Sequence, residues 1–185
     1  MADWDERYRK GENIDAAPDP LVTRFGTILP AGRALDLACG PGRHALWLAE
    51  HGWDVTAVDS SRAGIEILRK RAEDRGVRVD SVIADLERHE FAIQPASFDL
   101  IVVVHYLQRD LFPAIRKGVR LGGAVIAAIA MIDETPLVRP MNPAYLVEPG
   151  DLRAYFEGWR LLHDFEGKPP GDPTRRASAE IVAVR

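Results

Sequence analysis

Two carboxylates, Asp36 and Asp59, bracket a pair of glycines, Gly40 and Gly42, in the stretch ALDLACGPGRHALWLAEHGWDVTAVDSS that begins at residue 34. Each acid ends an apolar run. The glycines let the backbone turn tightly and approach a ligand with no Cβ in the way. Asp59 follows Gly42 by 17 positions (59 − 42). A carboxylate placed there can accept from both hydroxyls of a ribose, so the set points to an adenosine-containing ligand. The bland alternative is a tight strand-to-helix turn flanked by two solvated acids.

The elements that position this set can be read from periodicity. A charged segment at 3–11 predicts one or two helical turns, and a short helix is expected at about 19–28. Strand one is predicted at 33–38, followed by a helix at 42–51 with Ala45, Leu48 and Ala49 on one face. Strand two is placed at 54–58. Ser60 is expected to cap a helix at 61–75 that stops at Gly76. Strand three follows at 77–83, a polar loop at 85–96, and strand four at 98–104, apolar enough to be covered on both faces. A helix at 110–119 is expected to be broken by Leu121–Gly123, ahead of strand five at 124–130. A helix from about Pro149 precedes two runs, WRLLHDF and SAEIVAV, joined by EGKPPGDPTRRA, which predict a closing antiparallel hairpin. Alternation of this kind makes a doubly wound α/β sheet, mostly parallel, with helices on both faces. Ligands of such sheets lie at the carboxyl ends of the strands, where strand order reverses. Strand one and its glycine loop end there.

GPGRHA also fits the G-x-G-x-x-A pattern of dinucleotide binders. Asp36 argues against that: at the end of strand one it repels a pyrophosphate and tolerates a cation. Together with IADLE, FDLIVVVHYLQRDLFPAIRKGVRLGG and NPAYLVEPGDL, the block at 34–61 resembles the class I S-adenosylmethionine (SAM)-dependent methyltransferases. The similarity is to the small single-domain group related to tellurite-resistance methyltransferases, and it covers about 4 to 185. It implies a Rossmann-like seven-stranded sheet whose last strand is antiparallel. It also implies one domain over 1–185, with 1–30 as an N-terminal helical cap. Asp36 and the backbone of Ala38 to Gly40 are then expected to flank the methionine part of SAM. Gly42 completes the loop, Asp59 binds the ribose with Ser60 beside it, Asp85 reaches the adenine amino group and Leu86 adds a backbone contact. Two departures stand out: Ala38, where many members have glycine, and Leu121, in place of a common proline.

Methyl transfer from a sulfonium needs a positioned acceptor and a dry site, and a base only when the acceptor must lose a proton. His105 and Tyr106, past strand four, are the expected acceptor-side catalytic residues. Arg109, Asn142 and Tyr8, the last from an N-terminal lid, are further candidates. Each has a plainer role on offer: Tyr8 with Trp4 as a helix staple, Tyr106 as packing, Asn142 as a turn former, His44 as a first-turn helix residue, Asp85 as a turn cap.

The rest of the composition narrows the class. The chain has 185 residues, a net charge of −4, 46% hydrophobic and 28% charged residues, and one cysteine, Cys39. These values suit a single globular domain in a reducing, cytoplasmic compartment. No basic cluster predicts nucleic-acid or membrane-surface binding, the start carries no apolar signal segment, and no His or Cys spacing predicts a metal site. The expected function is therefore methyl transfer from SAM to a small-molecule acceptor. A non-catalytic SAM-binding protein and a nicotinamide-dependent oxidoreductase are the rivals.

Overall fold

The computed structural model describes residues 4–168 and 174–185. Helices α1 (Trp4–Arg9) and α2 (Pro20–Ile28) precede strand β1 (Arg33–Leu37) and helix α3 (Arg43–Glu50). Strand β2 (Asp54–Asp59), helix α4 (Arg62–Asp74) and strands β3 (Val79–Ile83) and β4 (Phe98–Val104) follow. The chain continues through helix α5 (Phe112–Gly118), strand β5 (Val119–Ala130), helix α6 (Asp151–Tyr155) and strands β6 (Arg160–Gly167) and β7 (Ser178–Val184). The seven strands form one sheet in the order β3-β2-β1-β4-β5-β7-β6. The pairs from β3 across to β5 are parallel, and β7 is antiparallel to both β5 and β6. The expected seven-stranded, mostly parallel sheet with an antiparallel last strand is the one found.

Both sheet faces are covered, and the strands show why. In β4, Phe98, Ile101 and Val103 enter one core while Leu100, Val102 and Val104 enter the other. The first core is roofed by Phe112 and Ile115 of α5 and Leu152 of α6. The second is roofed by Leu21, Val22 and Phe25 of α2, Leu46 and Leu48 of α3, and Ile65 and Leu68 of α4. Period-2 side chains on the strands and period-3.6 stripes on the helices meet in two layers. The chain runs outward from β1 to β3 and then returns to β4 on the other side of β1. The strand order therefore reverses between β1 and β4, and a crevice opens at their carboxyl ends. No described helix is long and apolar enough to cross a membrane.

Four local expectations are corrected. The cap of α4 is Ser61, whose Oγ accepts from Gly64 N at 3.0 Å, and not the exposed Ser60. Strand β2 runs one residue further than expected, through Asp59, which displaces the helix start by one position. Leu121–Gly123 does not break the chain ahead of β5; it is an irregularity inside the strand. Gly122 takes a φ of +81° there, so the strand kinks and resumes. Pro149 lies outside α6, whose cap is Gly150 at φ +88°. Of the connection from Glu166 to Ala177, residues 169–173 lie outside the described part.

Candidate functional site

The loop after β1 turns through three left-handed positions: Ala38 at φ +53°, Gly40 at +53° and Gly42 at +81°. A side chain at Gly42 would strike Leu68 of α4, and one at Gly40 would come within 2.5 Å of the Tyr8 hydroxyl. These glycines are thus demanded by backbone angle and by packing of α3, α4 and α1 around the loop. Ala38 carries the same angle with a Cβ, a conformation that glycine adopts at less cost.

Asp59 joins the loop to the end of β2. Its Oδ2 accepts from Gly40 N at 2.7 Å and its Oδ1 from Ser61 N at 2.8 Å. Asp36 does the same for α3: its Oδ2 accepts from Ala45 N at 3.0 Å in the helix's first turn. An anion at a helix N-terminus is favoured by the unpaired N–H groups and the dipole. Both acids are buried, Asp36 to 1% exposure and Asp59 to 8%. Burial pushes Asp36 up to about 7, against the pull of the Ala45 N–H and the Arg43 charge. Burial also raises Asp59, with the Ser61 and Gly40 N–H groups opposing it. Among the described residues no Lys or Arg forms an ion pair with either acid; the nearest partner is His44 Nδ1, 3.9 Å from Asp36 Oδ1. Two buried carboxylates without a cation of their own suit a ligand that brings hydroxyls to one and positive charge to the other.

Helix α1 lies directly over this loop. Tyr8 is buried against Gly40 and Gly64, and Trp4, more exposed, stacks on it with ring centroids 5.7 Å apart. Burial, then the nearby Asp59, raises the Tyr8 hydroxyl well above its usual range. Asp5 latches the helix down. Its Oδ1 accepts from Ser61 Oγ and from Ala63 N, the latter at 3.1 Å, so it adds a second cap to α4. Those hydrogen bonds, led by Ser61, lower its pKa. Sequence inspection missed Asp5, since a contact 56 residues away leaves no local signal.

On the β3 side, Asp85 Oδ1 accepts from Glu87 N at 2.9 Å and its own N–H donates to Glu90 Oε2 at 3.0 Å. It therefore shapes the turn, and its Oδ2 accepts none of the hydrogen bonds found among the described residues. Leu86 is buried, and its carbonyl accepts from Gln108 Nε2 at 3.1 Å. Gln108 Oε1 in turn accepts from the Tyr106 hydroxyl at 2.7 Å. This relay fixes the loop after β3 against the loop after β4. It gives Tyr106 a positioning contact, and burial raises its hydroxyl pKa. Gln108 also went unnoticed in the sequence.

His105 sits where expected, one residue past β4, exposed, at φ +59°. Its N–H donates to Ala128 O at 2.8 Å, while its imidazole makes no hydrogen bond among the described residues. Desolvation by the surrounding crevice, then the Arg43 charge, lowers its pKa, so the ring is neutral at pH 7. Arg109 and Asn142 leave the candidate set. The Arg109 guanidinium donates to the carbonyls of Ala144 and Leu146 at 3.2 and 2.9 Å, which ties down the 143–147 segment. Asn142 is exposed and caps the short turn Pro143–Tyr145 through Ala144 N at 3.0 Å. His44 is more than a first-turn residue: it is buried to 4% exposure, its Nε2 has no hydrogen-bond partner among the described residues, and burial holds its pKa down at about 3.

A reversal between β1 and β4, a glycine loop held by an acid at the end of β2, and an antiparallel β7 define the class I methyltransferase architecture. Residues 34–123 of the chain match the family described as "Methyltransferase domain". Among known proteins it is 26% identical over 169 residues to the "Probable S-adenosyl-L-methionine-dependent methyltransferase TehB" of Haemophilus influenzae, covering 85% of this chain and 56% of that protein. It is 28% identical over 171 residues to a "Ubiquinone biosynthesis O-methyltransferase" of Methylocella silvestris, covering 71% of this chain and 66% of that one. The chain thus spans little more than half the length of the first of these relatives. In structure, TehB from Haemophilus influenzae superposes with a TM-score of 0.79 at 23% identity, over 98% of this chain and 67% of that one.

Proposed function

We propose that this domain transfers a methyl group from SAM to a small-molecule acceptor, with α1 and α2 as a cap over the cofactor crevice. The observation that carries the proposal is the double hydrogen bond of Asp59 to Gly40 N and Ser61 N. It places a carboxylate, with lone pairs remaining, beside a glycine loop at the strand-order reversal. When bound, SAM supplies a methyl group on a positively charged sulfur.

The chain's own residues supply position, dryness and charge. Asp59 accepts the ribose hydroxyls, with the exposed Ser60 beside it. Asp36 and the backbone from Ala38 to Gly40 face the cationic end, Gly42 holds the turn, and Asp85 with Leu86 borders the adenine. Tyr8 excludes water from above the loop. His105, neutral and outside the buried part of β4, takes a hydrogen bond or a proton from the acceptor, and Tyr106 holds the neighbouring loop through Gln108.

Thermal melting tests this. A ligand at about 100 times its Kd adds roughly 2.7 kcal/mol. For a chain of this length that raises the melting temperature by about 5–10 °C. SAM and S-adenosylhomocysteine should give this shift and NADH none. The reverse pattern would refute the methyltransferase assignment in favour of a nicotinamide enzyme. Release of S-adenosylhomocysteine with a cell extract separates catalysis from simple binding.

A further inference from the structure

A second cavity, of about 760 Å³, opens beside the cofactor loop, lined by Arg7, Glu12, Val138, Arg139, Met141 and Arg176 among others. Arg7 adjoins Tyr8, which covers Gly40. On the opposite wall Arg176 donates to Met131 O, past the end of β5, at 3.2 Å and to Arg139 O at 2.6 Å. The cavity therefore lies between α1, which covers the glycine loop, and the segment that leaves β5, the strand that pairs with β4. Its far wall is built rather than loose. Asp133 accepts from Thr135 Oγ1 at 2.6 Å and from Ala177 N at 3.1 Å, which braces the segment after β5 against the start of β7. The volume lies in the range that takes a small organic molecule.

The charges in this cavity are unequal. Arg7 is paired with Glu12 at 2.6 Å and stacks on Trp4 at 4.4 Å. Arg176 is held by two carbonyls. Arg139 has no hydrogen bond or ion pair from its guanidinium among the described residues, and its planar fork is left to face one planar anion. Beside it stand Val138, Pro140 and Met141, and Met141 is 44% exposed, more apolar surface than a free edge needs. The geometry points to a methyl acceptor that is an organic acid, its carboxylate on the Arg139 fork and an apolar body against Val138 and Met141. A bare inorganic oxyanion would leave the apolar wall uncovered. The inference rests on the methyltransferase reading above and names its acceptor class.

The test uses the full chain, SAM and a deproteinised small-molecule extract of the source organism. The extract is split at neutral pH on an anion exchanger, and the retained part is acidified and shaken with ethyl acetate. S-adenosylhomocysteine release is measured with each fraction. The expected result is turnover with the retained, solvent-extractable fraction, since a protonated carboxylic acid on an apolar body leaves water. Arg139→Gln should then raise the acceptor KM about tenfold or more, as a lost charge-assisted contact does, with cofactor Kd and melting temperature unchanged. Turnover in the flow-through, or only in the retained aqueous part, would overturn the inference, as would an unchanged KM in Arg139→Gln. A protein whose melting temperature does not respond to SAM would fail at the cofactor, which is the failure of the underlying reading. One that responds yet turns over no fraction would lose the acceptor assignment alone.

Discussion

Asp59→Asn separates the two tasks given to that carboxylate. In the folded chain its oxygens take Gly40 N at 2.7 Å and Ser61 N at 2.8 Å while 8% exposed. Asp59→Ala would strand both donors, at about 1–3 kcal/mol each. A loss of roughly 2–6 kcal/mol is a large part of a domain's total of about 5–15 kcal/mol. Alanine therefore mixes a fold effect with a binding effect, and asparagine is the cleaner probe. It keeps one acceptor oxygen and sets an amide NH₂ against the other donor. Unliganded stability should fall by about 1–3 kcal/mol, lowering the melting temperature by roughly 2–12 °C for this length. Binding loses one charge-assisted hydrogen bond to the ribose, about 1.5–3 kcal/mol, which is roughly 10- to 150-fold in Kd. Calorimetric titration with S-adenosylhomocysteine reads the second number and differential scanning calorimetry the first. A lowered melting temperature with unchanged Kd would refute the ribose contact and leave Asp59 as a purely structural tie.

Four further outcomes are expected. Asp36 is raised to about 7 by burial, so below that pH the folded protein holds a proton that the unfolded chain, with a pKa near 3.9, releases; stability from this group falls by about 1.4 kcal/mol per pH unit between roughly pH 4 and 7. Because a cationic cofactor favours the ionised form, SAM affinity should rise up to tenfold per unit toward pH 7 and then level off, and a Kd that is flat from pH 5 to 8 in titration calorimetry would count against this. Ala38→Gly relieves a left-handed alanine, worth about 1–2 kcal/mol, against roughly 0.5–1 kcal/mol of added chain entropy; a melting temperature raised by one to a few degrees is expected, and a clear fall would show that the Cβ packs. Asp5→Ala removes the tie from α1 to Ser61 and Ala63, and stopped-flow tryptophan fluorescence should show S-adenosylhomocysteine leaving several-fold faster; an unchanged off-rate would mean that α1 does not gate the crevice. His105→Ala should slow methyl transfer by about 10²–10⁴-fold if the ring takes the acceptor's proton, with cofactor Kd and melting temperature unchanged, and full activity would remove it from the site.

Much of this was legible in the chain. Strand four, FDLIVVV, is apolar without alternation because both faces are covered, and that alone places it centrally in a parallel sheet. Asp36, Gly40, Gly42 and Asp59 stand close together in sequence because one strand-loop-helix-strand unit carries the loop and both acids. The order β3-β2-β1-β4-β5 follows from right-handed crossovers. Period and spacing are local properties, and they survive in a one-dimensional string.

Tertiary structure decided what depends on distant partners. Ser61 rather than Ser60 caps α4 because Asp59 extends β2 by one pair and Asp5 arrives from α1 to share the cap. Gly42 is fixed by Leu68 and Gly40 by Tyr8, neither of which is a sequence neighbour. Arg109 and Asn142 carry side chains suited to an acceptor site, yet the fold uses the first to tie down two carbonyls and the second as a turn cap. Asp36 reads from the string as an ordinary carboxylate, and its burial at a helix start, with no Lys or Arg in an ion pair with it among the described residues, makes it a proton-binding group near neutral pH. A residue's type states what it can do; desolvation and the donors that reach it, both set by chain segments far away in sequence, determine what it does.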